Sequence, residues 1–267
     1  MKKQKLKAYD LLNRVRKEKP VVHHITNWVT IYDCANVVKV FGASPVMAHA
    51  PEEAAEMTAI ASALVLNIGT LTGTLVEAMK IAARSANKKG IPVVLDACGA
   101  GATRFRDDSS FGILDAAHVD IIKGNASEIA KIAGENVKTK GVDASLVEND
   151  LAALARKLAL ERKCTVVVTG KEDIVSDGVE TFFIKNGHPR MSHVVGTGCM
   201  AASVIGTFAA VSKEYAYAAA CGLVCFEVAA EQAVKRSKGP GTFTPALYDC
   251  IYSLDQKALD SLQKVFG

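Results

Sequence analysis

Residues 91–101 read IPVVLDACGAG: a short apolar run, an aspartate, then a glycine-rich turn. An unbroken apolar run of this length reads as a strand covered on both faces, and the polar and glycine residues behind it mark its end. The pattern repeats along the chain. ALVLNIG (63–69), VDIIKGN (119–125) and CTVVVTGKED (164–173) are apolar runs that close on Gly, Asp, Asn or Thr. Helix-length segments at 72–89, 125–134 and 146–162 lie between or beside them. Strands of this kind alternating with helices predict an α/β fold, a mostly parallel central sheet with helices on both faces. IVSDGVETFFI (174–184) differs: its central Asp177-Gly178 pair predicts a hairpin, expected at a sheet edge. From Gly198 onward the chain reads as almost wholly helical, over 198–211, 214–236 and two shorter pieces. No linker, repeat or low-complexity tract interrupts it, so one domain over 1–267 is expected.

The bulk properties exclude several classes. The chain of 267 residues is 49% hydrophobic and can build a sizeable core without staples. A formal net charge of +4 is too mild for a nucleic-acid partner. The basic start MKKQKLK runs into AYDLLNRVRK, which reads as a solvated amphipathic first helix. No apolar run reaches the ~20 residues of a membrane span, and the start lacks a continuous apolar stretch of the secretory type. Seven cysteines without a CxxC pair suggest neither a disulfide framework nor a zinc ribbon. Cys221 and Cys225, one helical turn apart, read as buried thiols. A reduced, cytoplasmic protein is expected.

In an open α/β sheet the ligand lies beyond the carboxyl ends of the strands. Those ends carry Asn67, Gly69 and Thr70; Asp96 with Gly99-Ala100-Gly101; Lys123, Gly124 and Asn125; and Thr169-Gly170. This is more polar chemistry than turns require. Neither GxxxxGK[ST] nor GxGxxG after the first strand is present. The alternative phosphate device is VVGTGCMAAS (194–203), in which Gly196-Thr197-Gly198-Cys199 opens a helix. Backbone N–H groups at that place favour an anion and lower a thiol pKa. The stretch therefore reads as a phosphate cradle, a reactive-cysteine site, both, or a tight turn. Asp96 could hold Mg²⁺ through water, with Glu128 as a second carboxylate. Glu128 also lies three residues after Asn125, the spacing of a capping box.

Taken together, HHITNWVTIYDCANVVKVFGASPVMAHAPEEAAEM (23–57), LVLNIGTL (64–71), VVLDACGAGATRFR (93–106), GNASEIA (124–130), VVTGKEDIVSDG (167–178), VVGTGCMAASVIGTF (194–208) and KGPGTF (238–243) resemble the hydroxyethylthiazole kinases. The motifs keep that family's order and span nearly the whole chain. The resemblance implies a ribokinase-like layered sandwich without a separate lid domain. It implies ATP- and Mg²⁺-dependent phosphorylation of 4-methyl-5-(2-hydroxyethyl)thiazole at its primary hydroxyl, in thiamine synthesis by salvage. A homotrimer with active sites between subunits is implied as well. Matching positions make Asn27, Met47 and Gly196 substrate contacts, Lys123 and Thr169 ATP contacts, and Asp96 and Glu128 the Mg²⁺ carboxylates. The 196–199 backbone becomes the anion hole, with Cys199 beside the accepting hydroxyl.

Two stretches depart from the family pattern. DACGAGAT stands where several members have DPVGAGAT, so Ala97 and Cys98 replace Pro and an aliphatic residue. Lys123 replaces Arg, a point charge without the planar fork. Cys199 stands where most ribokinase-like kinases carry Asp, and is expected to orient the hydroxyl and assist proton removal without forming a phosphocysteine. The competing readings are a kinase for another small alcohol or an ATP-dependent hydrate dehydratase, a cysteine hydrolase using His193 or His188 as base, and a non-catalytic ligand sensor.

Overall fold

The computed structural model describes residues 1–135 and 148–267. Ten strands form one sheet: β1 (Lys3–Gln4), β2 (Val21–Ile25), β3 (Ser44–Val46), β4 (Ala63–Asn67), β5 (Val93–Asp96), β6 (Ile121–Asn125), β7 (Thr165–Thr169), β8 (Asp173–Ser176), β9 (Thr181–Ile184) and β10 (Val265–Phe266). Their order is β1-β10-β9-β8-β7-β6-β5-β4-β2-β3. The six strands from β3 to β7 in that order are parallel, and β7 through β1 form an antiparallel wing.

The helices are α1 (Ala8–Glu18), α2 (Ile31–Phe41), α3 (Pro51–Ile60), α4 (Gly73–Lys89), α5 (Arg104–Ala116), α6 (Ala126–Ile132), α7 (Glu148–Arg162), α8 (Thr197–Ala209), α9 (Tyr215–Arg236), α10 (Pro240–Tyr252) and α11 (Gln256–Leu262). Strand residues alternate between two cores, as a period of two demands. Val65, Val94, Ile121 and Val167 pack with α1, α2, α8, α9 and α10 on one face. Leu64, Leu66, Leu95, Ile122 and Val168 pack with α4 and α7 on the other. Helix α8 lies hard against the sheet at Gly206, where a Cβ would overlap the Val65 side chain. That close approach sets the depth of the α8 N-terminus at the strand ends.

The parallel half follows the sequence reading closely, with strands a few residues shorter than their apolar runs. Residues 146 and 147 of the expected 146–162 helix lie outside the described residues. Three expectations are corrected. The 174–184 hairpin forms as β8–β9 but is no edge, because β10 pairs with β9 and β1 closes on β10. The four helices expected from Gly198 onward are present, followed by the two-residue β10, and the basic start contains a strand rather than only a helix face. Backbone bonds between Lys2 and Gly267 at 2.9 and 3.0 Å join the two termini. Two-residue strands are invisible to periodicity, since only their partner creates them. Finally, α9 is long and apolar enough to cross a membrane by length and composition, despite Glu227 within it. Yet 78% of its apolar window is buried inside the fold, as befits a core helix.

Candidate active site

The parallel strands deliver Asn67, Asp96, Lys123 and Thr169 to one end of the sheet, in register: Asn67 opposite Asp96, Asp96 opposite Lys123. Helix α8 starts above them. Gly196 is its N-cap residue at φ +97°, and no side chain caps the helix. A side-chain cap is also absent from α1, α2, α3 and α9, whereas α4, α5, α6 and α11 are capped by Thr72, Thr103, Asn125 and Asp255. The first N–H groups of a helix lack intrahelical partners, so α8 presents unsatisfied donors where the sequence placed the anion hole. Gly196 also lies so close to Thr30 that a Cβ there would stand 2.6 Å from Thr30 Cγ2.

A chain of hydrogen bonds runs beneath that helix end. Asn27 Nδ2 donates to Cys199 Sγ at 3.3 Å and to Asn67 Oδ1 at 2.9 Å. Asn67 Nδ2 donates to Asp96 Oδ2 at 2.6 Å, and Lys123 Nζ donates to Asp96 Oδ1 at 3.1 Å. The Asn27 amide is oriented by three donors to its oxygen, the N–H groups of Val29 and Thr30 and the Thr30 hydroxyl. Its NH₂ must therefore face the sulfur. Gly69 allows this crowding, since a Cβ there would stand 3.0 Å from both Asn27 Cβ and Asn67 Oδ1.

The electrostatics follow from this geometry. The Cys199 thiol is held down at about 5: hydrogen bonds from Cys98, Thr30 and Asn27, with the Lys123 charge, outweigh its burial. The Cys98 thiol moves the opposite way, raised first by its hydrogen bond to Cys199 and then by burial. Burial pushes Asp96 up to about 7 against the pull of Lys123. For Lys123 burial opposes the charge, but Asp96 and Glu128 outweigh it and the ammonium is retained.

Both carboxylates named as metal residues are already engaged by the protein. Asp96 is fully buried. Glu128 accepts from Gly99 N–H at 2.8 Å and Asn125 N–H at 2.7 Å, so the capping box is present. No group of three or more His, Cys, Asp or Glu side chains among the described residues is arranged to hold a metal. Such donors fit an ion carried mainly by phosphates and its own waters, touching protein through one or two carboxylates. They do not fit a cage.

The remaining positions border this centre. Thr169 and Gly170, with Thr197 and Gly198, line a cleft of about 620 Å³ that continues to Lys185, His188 and Glu227. Met47 belongs to the loop after β3. His49 ties that loop to Thr26 and stacks on Trp28, which brings the loop beside Asn27. Around the mouth Trp28, Val29, Tyr32 and Val195 form an exposed apolar rim, each more than half accessible.

Three contributors were given no role in the site from sequence. Thr30 carries an Asx-turn signal, Asn27 two and three residues before its donors. Arg106 donates to the carbonyls of Ile68, Gly69 and Cys98 at 2.6–2.9 Å and so ties the β4 and β5 loops together. Only its place after the glycine loop hinted at it. Nothing local marks Cys98 as a neighbour of Cys199, 101 positions away. His188 and His193, weighed as bases for a hydrolase, have no hydrogen bond to Cys199 among the described residues. His188 instead caps the short 3₁₀ turn Pro189–His193.

The chain is similar to known proteins over nearly its whole length. The model of the Hydroxyethylthiazole kinase family matches residues 12–257. A hydroxyethylthiazole kinase from Methanosarcina mazei is 56% identical over 254 residues, 95% of this chain and 97% of that protein. The structure of a hydroxyethylthiazole kinase from Pyrococcus horikoshii OT3 superposes with a TM-score of 0.90 at 42% identity, covering 97% of this chain and 98% of that one. A ribokinase-like superfamily protein from Enterococcus faecalis shares the fold at 15% identity, TM-score 0.63, covering 86% of each chain.

Proposed function

Because the chain belongs to the hydroxyethylthiazole kinase family, and so transfers a phosphoryl group to an alcohol, we propose that Cys199 and the open end of α8 perform that transfer. The observation that carries the reading is the uncapped helix start directly above the Cys199–Asn27–Asn67–Asp96–Lys123 chain. In this reading the substrate alcohol, 4-methyl-5-(2-hydroxyethyl)thiazole, sits with its hydroxyl at Cys199 Sγ. Asn27, Met47 and Gly196 bound its ring, where the Met47 thioether suits an aromatic partner.

ATP enters along the cleft past Thr169. The hydroxyl oxygen attacks the γ-phosphorus, the bond from that phosphorus to the bridging oxygen breaks, and ADP leaves. Cys199 accepts the hydroxyl proton, as its depressed pKa allows. Backbone N–H groups of 197–199 and the Lys123 ammonium stabilise the phosphoryl charge, which is the main demand of phosphoryl transfer. Asp96 and Glu128 are the carboxylates that would hold Mg²⁺, which would supply charge neutralisation on the phosphates.

The same proposal treats residues 1–267 as one domain, supported by the continuous sheet. It takes the exposed Trp28, Val29, Tyr32 and Val195 rim as the contact of a homotrimer, with each active site completed at a subunit boundary. Seven free cysteines support a reducing, cytoplasmic setting. The test is product mass after incubation with ATP, Mg²⁺ and the thiazole alcohol, beside hydroxymethylpyrimidine and a no-alcohol control. The expected result is one added phosphoryl group on the thiazole alone. Equal turnover of both alcohols would refute the substrate.

A further inference from the structure

Helix α9 is apolar and buried over most of its length, and Glu227, only 6% exposed, interrupts it. A carboxyl in such surroundings is costly unless it is paired or hydrogen-bonded. The polar groups around it meet that demand. Glu231, one turn further on, accepts from Asn186 Nδ2 and the Gly187 N–H at 3.1 Å each and pairs with the Lys264 ammonium at 2.9 Å. Asn186 is occupied in turn by the Leu262 carbonyl and the Lys264 N–H. Asp173 accepts from the Gly170 N–H at 2.9 Å. Glu227 is the exception, for its Oε2 is buried and no protein group donates to it. Burial first, then the Asp173 charge, push its carboxyl well above the ordinary range, so it stays neutral in the fold.

This unsatisfied group lies along a cavity. The cleft of about 620 Å³ that includes Thr197 and Gly198 has Glu227 in its wall, and its volume suits one small organic ligand. Gly187, in the same wall, has φ +96°, and an added Cβ would stand 3.7 Å from Glu227 Cδ and 3.8 Å from Oε2. A glycine there leaves that side of the carboxyl uncovered. Met191, Ala201 and Phe226 give the cleft apolar surface suited to a flat ring. Phosphates are drawn to the N–H groups that open α8, whereas a carboxyl oxygen serves an N–H donor.

We propose that Glu227 selects the base of the nucleotide: its free oxygen accepts a hydrogen bond from an exocyclic amino group, so the cleft takes a 6-aminopurine triphosphate over one that lacks the amino group. The inference rests on the reading of this cleft as the entry of ATP. The amino group of ATP satisfies the oxygen. Purine riboside triphosphate, without that group, seals the oxygen from water unpaired, and the loss supplies the discrimination.

The experiment measures the dissociation constants of ATP and of purine riboside triphosphate, each with Mg²⁺ and no alcohol, by calorimetric titration of the whole protein. Wild type should prefer ATP by roughly 10- to 100-fold. Glu227→Gln keeps an acceptor oxygen and should keep most of that preference. Glu227→Leu should bind both nucleotides equally, with an unfolding midpoint no lower than wild type, because it removes an unpaired buried carboxyl. Equal affinities in wild type, or an unchanged preference in Glu227→Leu, would overturn the proposal and leave the cleft reading intact. Mg²⁺ titrated alone that binds wild type but not Glu227→Leu would overturn it too, by giving the carboxyl to a cation. The cleft itself is tested by Gly170→Phe, where an added Cβ meets the Glu172 carbonyl at 3.6 Å, an ordinary contact. That variant should lose affinity for both nucleotides alike. Undiminished ATP binding by it would refute the cleft as the nucleotide site, and the inference with it.

Discussion

Replacing Gly196 by alanine tests how the turn, the helix start and the thiol are coupled. The backbone at Gly196 has φ +97°, and an added Cβ would stand 2.6 Å from Thr30 Cγ2 and 3.1 Å from Thr30 Cβ. The left-handed region alone costs an alanine roughly 1–2 kcal/mol. Relieving the contact requires Thr30 to move, and overpacking of this kind costs about 1–3 kcal/mol more. The sum, about 2–5 kcal/mol, lowers the midpoint of thermal unfolding by about 4–10 °C in a chain of this size. Function falls further than stability, because Thr30 is not free to move alone. Its N–H and hydroxyl hold the Asn27 oxygen, and Asn27 holds Cys199 Sγ. A displacement of 1 Å at a reacting group costs about 100-fold in rate, so kcat should fall by that order with a smaller change in KM.

The control is Thr30→Ser, which removes Cγ2 and keeps the hydroxyl. Combined with Gly196→Ala it should recover most of the packing cost and leave the left-handed cost of about 1–2 kcal/mol. Differential scanning calorimetry and steady-state kinetics on the four proteins of the cycle give the answer. A Gly196→Ala protein with wild-type midpoint and kcat would refute the geometry. An additive cycle would refute the Thr30 contact as its cause.

Cys199→Ala should reduce kcat about 100-fold, and wild-type kcat/KM should rise with pH through about 5 and then level, because the thiolate is the proton acceptor. A flat profile from pH 4 to 8 would exclude that role. Lys123→Met leaves the Asp96 carboxylate buried without its cation, and should destabilise by about 3–5 kcal/mol in urea unfolding. Adding Asp96→Asn should restore most of the stability and none of the activity. Arg106→Ala should lower kcat by up to about 100-fold through loosened loops, with partial rescue by added guanidinium ion, which a purely structural defect would not show. His24 is fully buried and its pKa is lowered to about 3, mainly by burial. It stays neutral in the fold while the unfolded chain takes up a proton below about pH 6.5, so stability should fall with acid between about 6.5 and 3. The slope is about 1.4 kcal/mol per pH unit at most, and His24→Leu should be less acid-sensitive over that window.

The parts legible from sequence are those that one segment encodes by itself. IPVVLDACGAG and its counterparts announce buried strands because continuous apolarity over five residues suits only a backbone covered on both sides. Asp96, Lys123 and Thr169 were placed at strand ends by the same runs. The Gly196-Thr197-Gly198-Cys199 turn was readable as a helix start because two glycines and a string of small residues permit little else. What stayed hidden was every relation between segments. The antiparallel wing needs both chain termini, and β1 and β10 have only two residues each, too few for any periodic signal.

The sequence by itself determined the α/β layering, the strand ends that carry the chemistry and the family resemblance, since these rest on local apolar runs and contiguous motifs. Only the tertiary structure decided that Asn27 bridges Cys199 to Asn67, that Asp96 is held by Lys123 within the core, and that Arg106 ties two loops. Those contacts join residues from 8 to 172 positions apart. Hydrogen bonding and charge act through space over a few ångströms, and folding alone determines which residues stand at that range.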